Sequence, residues 1–158
     1  MTAPEKAKKE LGQEMEDGTF YLGRFKGKDG KEKDYFAAAE DAQDKKGKRL
    51  SLKFNKAAKY AKNAKVHGHD DWMVPTGWDD RNDEPDILNA IFNNKAKIPG
   101  LDLTGSHPAG WYWSSTSNYD YYAHCQCLGD GDKYDGLRRS GLSVRLVRSA
   151  AIFQSGGL

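Results

Sequence analysis

The sequence lacks a long hydrophobic run, a cysteine framework and an excess of either charge. No stretch approaches the roughly 20 apolar residues that a membrane helix needs, and the N-terminal residues show no apolar core of a secretory signal. The only cysteines, Cys125 and Cys127, are too close in the chain for an unstrained disulfide. The 25 Lys and Arg residues nearly balance the 23 Asp and Glu residues, whereas nucleic-acid-binding proteins usually carry a basic excess or stripe. These absences disfavour a membrane-spanning protein, a disulfide scaffold and a nucleic-acid binder.

The chain instead combines a polar composition with short apolar segments. Its 158 residues fit one domain, and a mean hydropathy of −0.86 predicts a small core with long surface loops. Residues 1–16 are rich in Lys and Glu and are predicted to form a flexible N-terminal arm. We expect residues 17–149 to form the domain and residues 150–158 to form a C-terminal tail.

The N-terminal part of the domain has the pattern of a β-hairpin. The aromatic and β-branched residues of GTFYLGRF are typical of a strand, and the charged segment after it has a turn signal at Asp29-Gly30. In such a hairpin, Phe20, Leu22 and Tyr35 lie on the buried side. The alanine-rich segment that follows predicts the start of a helix, which ends near residue 47.

Two further helices are predicted in the middle of the chain. Apolar residues recur at helical spacing from Leu52 to Ala64, with Ser51 or Asn55 as the cap and Gly68 as the stop. The second begins with Asp83 as its cap and Pro85 in its first turn. Its predicted buried face consists of Ile87, Leu88, Ile91 and Phe92.

Strand patterns return near the end of the sequence. WYWSST is typical of a strand, and GLSVRLVRS alternates apolar with polar residues, so Ser143 and Arg145 are predicted on its exposed side. The order of elements favours an α+β fold in which two or three helices pack on small antiparallel sheets. Between these strands, residues 118–140 are rich in Tyr, Asp and Gly and show no regular period.

Three segments, HGHDDWMVPT, GWYWSST and GLSVRLVRS, carry a family resemblance. Their pattern resembles the variable proteins of diversity-generating retroelements, a bacterial and phage family with a C-type-lectin-like fold. Met73 departs from the pattern, because the family often has Arg there. The matching framework positions are Trp72, Pro75, Trp113, Ser114, Ser115, Ala123, Gln126, Gly131, Val144, Arg145, Val147 and Arg148.

The resemblance implies a variable region at about residues 110–149. In such systems an error-prone reverse transcriptase makes errors at template adenines, so AAC and AAT codons change into other codons that end in a pyrimidine. Those codons never encode Lys, Glu, Gln, Met or Trp, and none of these types occurs at the candidate variable positions. With Arg138, which adds a charged contact, the predicted ligand-binding residues are Tyr119, Asp120, Tyr121, Tyr122, His124, Cys125, Cys127, Asp130, Asp132, Tyr134, Asp135 and Arg138.

The resemblance further implies a display protein that binds a receptor or ligand, without catalysis, cofactor or metal. Its partner is expected to be a protein or glycan on another cell or particle, and a virion or cell surface is the expected location. Tyr offers a large contact area at a small cost in side-chain entropy, so Tyr119, Tyr121, Tyr122 and Tyr134 are the expected anchors. Strand alternation would place Tyr122 and His124 on the face opposite Cys125 and Cys127.

Several alternatives stay open at the level of the sequence. An undiversified lectin-like binder has the same frame, and formylglycine-generating enzymes share the general fold and use a pair of cysteines. His67 and His69 have a spacing that can bind zinc. Asp130 and Asp132 have the spacing of calcium ligands, although the closing Glu of a calcium loop is absent.

Overall fold

The protein has the predicted α+β architecture. A computed structural model describes residues 9–78, 84–104, 107–117 and 120–152. The elements in these ranges are β1 (Phe20–Lys26), β2 (Glu32–Ala37), α1 (Phe54–Asn63), α2 (Ile87–Asn93), β3 (Trp111–Trp113), β4 (Tyr122–Cys127), β5 (Lys133–Leu137) and β6 (Val147–Ala151). The strands form two antiparallel three-stranded sheets, β1-β2-β6 and β3-β4-β5.

The first sheet contains the predicted hairpin. β1 and β2 pair up to Lys26 and Glu32, and the turn between them contains Asp29-Gly30. Phe20, Leu22 and Tyr35 are buried, as predicted. β6 then pairs with the other edge of β2, so the two ends of the domain meet in one sheet.

The alanine-rich segment after the hairpin is not helical, and that prediction was wrong. Its first residues belong to β2, and the N–H groups of Ala38 and Ala42 donate to the carbonyls of Leu146 and Val144 at 3.0 and 2.8 Å. Both alanines are buried in the core. Packing against the C-terminal segment therefore overrides the helix propensity of alanine.

Residues next to the predicted arm and tail boundaries take part in the first sheet. The N–H of Gly12 donates to the carbonyl of Tyr21 at 2.8 Å, and Glu14 forms a β-bridge with Phe20. At the other end, β6 continues to Ala151. Backbone pairing in the first sheet thus includes residues on both sides of the range 17–149, and residues 1–8 and 153–158 lie outside the described ranges.

Both described helices lie in the predicted segments but begin and end differently. The N-cap of α1 is Lys53, without a side-chain cap, and the helix ends before Gly68. Asp86 caps α2 by accepting a hydrogen bond from the N–H of Asn89 at 3.0 Å, while Asp83 lies outside the described residues. Phe92 is only partly buried. Neither described helix has the length and apolar character to cross a bilayer.

The second sheet lies between two groups of buried side chains. Tyr112 of β3 belongs to the first group and its neighbour Trp113 to the second, as strand alternation requires. The first core cluster is Phe20, Leu22, Tyr35, Ala37, Ile87, Leu88, Ala90, Ile91, Ile98, Tyr112, Leu128 and Val147. The second core cluster is Ala38, Ala42, Ala57, Ala61, Trp72, Val74, Trp113, Ala123, Cys125, Leu142, Val144 and Leu146.

A buried ion pair connects the two core clusters. Arg145 is fully buried, and its Nε donates to Asp41 at 2.8 Å. Its Nη1 and Nη2 donate to the carbonyls of Ala38 and Pro99 at 3.0 and 2.8 Å. The prediction that Ser143 and Arg145 face solvent was therefore wrong, because these contacts replace water around the charge.

Asp41 has two further partners. Its carboxylate accepts hydrogen bonds from Arg49 Nε at 2.7 Å and from the Tyr112 hydroxyl. The same hydroxyl accepts a hydrogen bond from the N–H of Asp102 at 2.8 Å. Burial, together with the charge of Asp41, raises the pKa of Tyr112 above its usual value. Tyr112 therefore stays neutral and joins the ion pair to the loop before β3.

Replacing Arg145 by Met is expected to lower the free energy of unfolding by about 3 kcal/mol or more, because it removes the buried cation and leaves carbonyls unsatisfied. Arg148→Met is the matched control. Arg148 pairs with the half-exposed Asp71 at 2.8 Å, so its loss is expected to cost about 1 kcal/mol or less. Urea denaturation of both variants measures the difference, and equal losses would contradict a central role of the buried pair.

Candidate ligand-binding surface

The predicted variable residues that the structure describes lie on β4, on β5 and on the segments that flank them. β4 is the central strand of the second sheet, and β5 is at its edge. In the β4–β5 register, Tyr122 is opposite Leu137 and Gln126 is opposite Lys133. The β4–β5 turn is therefore at one end of this hairpin, and Tyr122 is at the other.

Several of the predicted residues are exposed and are available to a ligand. Tyr121 is 75 % exposed, Tyr134 59 % and Tyr122 42 %. Asp135 and Arg138 are partly exposed, and Tyr119 lies outside the described residues. The exposed members of the predicted set in the described ranges are Asp120, Tyr121, Tyr122, Asp130, Asp132 and Tyr134.

The exposed tyrosines do not form a single patch on one face of the sheet. Tyr134 is opposite Cys125 in the register, whereas Tyr122 belongs to the other set of alternating positions. The ring of Tyr134 packs edge-on against Trp111, with centroids 6.1 Å apart. The predicted surface therefore extends around the β5 edge and the open end of the hairpin.

The two cysteines are not part of that surface. Cys125 and Cys127 are fully buried, so their assignment as ligand contacts was wrong. The Cys125 thiol donates to the carbonyl of Tyr134 at 3.4 Å. Burial raises its pKa to about 12 and also raises the pKa of Cys127. As strand alternation predicted, both side chains point away from the face that carries His124.

His124 is also buried, which corrects its assignment as a ligand contact. Only 1 % of it is exposed, and its ring stacks on Trp78 with centroids 3.7 Å apart. Its Nδ1 forms a hydrogen bond with the carboxylate of Asp135. His124 therefore holds Asp135 and Trp78 in place and does not face outward itself.

Gln126 joins the same face of β4 to α2. It is fully buried, and its Nε2 donates to Asn89 at 2.9 Å and to the carbonyl of Gly131 at 3.2 Å. Its neighbour in space, Lys133, pairs with Asp86 at 3.0 Å. These contacts fix the β4–β5 turn against the start of α2.

A groove of about 540 Å³ opens where β4 and β5 meet the start of α1. Its walls carry two exposed tyrosines and several basic side chains. The lining residues are Lys53, Asn55, Lys56, Asp120, Tyr121, Tyr122, Leu137, Arg138 and Arg139. Lys53, Asn55 and Lys56 are far from the variable segment along the chain, so no pattern in the sequence connects them with the ligand-binding residues.

Arg138 is held firmly in the wall of this groove. Its Nη2 donates to the Ser117 hydroxyl at 2.7 Å, and its Nε donates to the Tyr122 carbonyl at 3.4 Å. The guanidinium carbon lies 4.9 Å from the centre of the Phe54 ring. These contacts fix a cation between β5 and α1 at the edge of the predicted surface.

The residues considered as metal ligands have other partners. His69 Nε2 contacts Asp17 at 2.7 Å, and His67 Nε2 accepts a hydrogen bond from the N–H of Ala39 at 3.3 Å. Asp130 accepts from the N–H of Asp132 at 2.9 Å, which lowers the pKa of Asp130. Across the described ranges, no three His, Cys, Asp or Glu side chains are arranged to hold a metal ion.

Both thiols are expected to resist alkylation at neutral pH in the folded protein. A pKa raised to about 12 leaves Cys125 with far less thiolate than an ordinary cysteine at neutral pH, and burial hinders access to both thiols. Mass spectrometry after timed alkylation measures the rate, with the urea-unfolded chain as the control. Rapid labelling of the folded protein would contradict the assigned burial.

Comparison with known proteins assigns no family to the chain. No protein-family model matches it, and a search of curated proteins finds no match either.

Proposed function

We propose that the protein is a ligand-binding or receptor-binding display protein with a C-type-lectin-like fold, whose surface is diversified by a retroelement. Two helices packed with two small antiparallel sheets are compatible with that fold. The partner is a protein or glycan on another cell or particle. The surface that binds it consists of residues 120–122, the exposed side chains of the β4–β5 turn and β5, and Arg138.

The observation that carries the proposal is the exposure of Tyr121, Tyr122 and Tyr134 beside a buried strand. Large aromatic side chains usually contribute to a core, whereas these three are 75, 42 and 59 % exposed, and none of them belongs to either core cluster. Tyrosine is enriched in binding loops because it combines a rigid apolar ring with a polar hydroxyl. Such residues act as anchors in protein interfaces.

The distribution of buried residues supports variation at these positions. Trp113, Ala123 and Val144 pack in the second core cluster, and Arg145 is held by Asp41. None of these contacts uses the side chain of Tyr121 or Asp120. Substitution at the exposed positions therefore leaves the main sources of stability intact.

The two cysteine thiols do not favour the alternative function of a formylglycine-generating enzyme. A nucleophilic or redox-active cysteine needs an accessible thiolate and a lowered pKa. Cys125 and Cys127 are fully buried, and burial raises the pKa of both. Their place in the packing around β4 supports a structural role.

Replacing Tyr121 or Tyr134 by Ala is expected to weaken ligand binding by about tenfold or more and to change the free energy of unfolding by about 0.5 kcal/mol or less. The ligand is first selected from displayed peptides and a glycan array, and titration then measures affinity. Val66→Ala is the control, since Val66 is 38 % exposed and lies outside this surface. Unchanged binding in both tyrosine variants would refute the proposed surface.

The retroelement part of the proposal has a separate test in the DNA around the gene. We expect a near-identical second copy of the coding region for residues 110–149, beside a reverse-transcriptase gene. This copy should carry AAC or AAT at the codons for Asp120, Tyr121 and Tyr134. Because Cys125 and Cys127 are buried, their codons should be unchanged. Absence of both the copy and the reverse-transcriptase gene would leave an undiversified binder and refute diversification alone.

A further inference from the structure

The groove between α1 and the open end of the β4–β5 hairpin carries a concentrated positive charge. Lys53, Lys56, Arg138 and Arg139 line it, and Asp120 is the only acidic residue among its lining residues in the described chain. Lys53, Lys56 and Arg139 are exposed, and none of these three forms an ion pair with a described residue. The whole chain has a net charge of only +2, so the excess of positive charge is local to this groove.

Two of these cations occupy positions that are unfavourable for the helix. Lys53 is the N-cap of α1 and Lys56 lies in its first turn, which contains no acidic residue. The start of a helix has a positive partial charge, so acidic residues stabilise it and lysines oppose it. The two lysines also line the same groove, where their like charges repel each other. A bound anion would relieve both repulsions.

We propose that this groove binds a short acidic segment of a partner protein, with Lys53, Lys56 and Arg139 contacting its carboxylates. This assignment specifies the partner class for the proposed binding function and rests on that function. Arg138, held by Ser117 and Tyr122, adds a fixed positive charge to the wall. A volume of about 540 Å³ is suited to a few side chains.

The extent of the patch favours an acidic peptide over a polyanion. Nucleic acids and sulfated glycans gain affinity from many repeated charge contacts along a basic track. Here the basic residues do not continue along the β4–β5 hairpin, because Asp130 and Asp132 lie at its opposite end. The walls also include Tyr121, Tyr122 and Leu137, which suit apolar side chains beside the carboxylates.

The test is selection from a library of random displayed peptides on the wild-type protein and on two matched variants. Lys53→Gln/Lys56→Gln removes two of the four positive charges that line the groove, and Lys59→Gln/Lys62→Gln removes the same amount of charge from α1 outside it. Gln retains the helix propensity of Lys, and circular dichroism verifies the fold. Should the first variant not fold, Arg139→Gln, at an exposed position, takes its place.

The wild-type protein and the Lys59→Gln/Lys62→Gln variant are expected to enrich sequences rich in Asp and Glu. An enriched peptide should bind Lys53→Gln/Lys56→Gln about tenfold more weakly or worse, and its affinity for wild type should fall as salt rises. No acidic enrichment on wild type, or equal enrichment on the groove variant, would overturn the inference. Heparin binding that depends on Lys53 and Lys56, without enrichment of acidic peptides, would indicate that the groove binds a glycan. That outcome would also overturn the inference.

These outcomes separate the inference from the function it rests on. Enrichment of neutral peptides whose binding depends on Tyr121, with no effect of Lys53→Gln/Lys56→Gln, would overturn the acidic partner and leave the binding surface intact. A selected acidic peptide that binds the Tyr121→Ala and Tyr134→Ala variants as it binds wild type would place recognition in the basic groove and refute the tyrosine surface.

Discussion

The ion pair between Asp41 and Arg145 is the contact on which the rest of the fold depends. Both side chains are almost completely buried, and a buried charge is tolerated only when its partner and its hydrogen bonds are complete. Arg145 satisfies the carbonyls of Ala38 and Pro99, and Asp41 accepts the hydroxyl of Tyr112. Four parts of the chain therefore meet at this ion pair: the segment after β2, the loop before β3, β3 itself and the C-terminal segment.

This arrangement limits where the surface can vary. With β3 fixed by Tyr112, β4 is enclosed on both faces: Cys125 packs in the second core cluster, and His124 stacks on Trp78. Only the start of β4, the turn and the edge strand β5 reach solvent. Stability and recognition are consequently carried by different residues of the same hairpin, so substitution on the exposed side need not disturb the core.

The sequence predicted those elements whose signals are local. The turn at Asp29-Gly30 and the apolar spacing of α1 depend on near neighbours, and both were placed correctly. The alanine-rich segment was predicted wrongly, because its extended form depends on pairing with residues about a hundred positions away. The burial of Cys125 was missed for the same reason. Strand alternation predicts which face of β4 carries its side chain, but only the tertiary structure shows that both faces of β4 are covered. The lysines of the groove come from a helix that no local motif connects to β4.

The start of α1 shows how the buried frame and the exposed groove are related. A helix normally begins with a side-chain cap and early acidic residues, and α1 has neither. Tertiary contacts hold its first turn instead: the N–H of Phe54 donates to the Arg138 carbonyl at 2.9 Å, and the Phe54 ring packs edge-on against Trp113. Because the core supplies the stability that a cap would give, the first turn tolerates Lys53 and Lys56 at positions that oppose the helix dipole. The attachment of α1 to β3 and to the segment after β5 thus permits the charge of the groove.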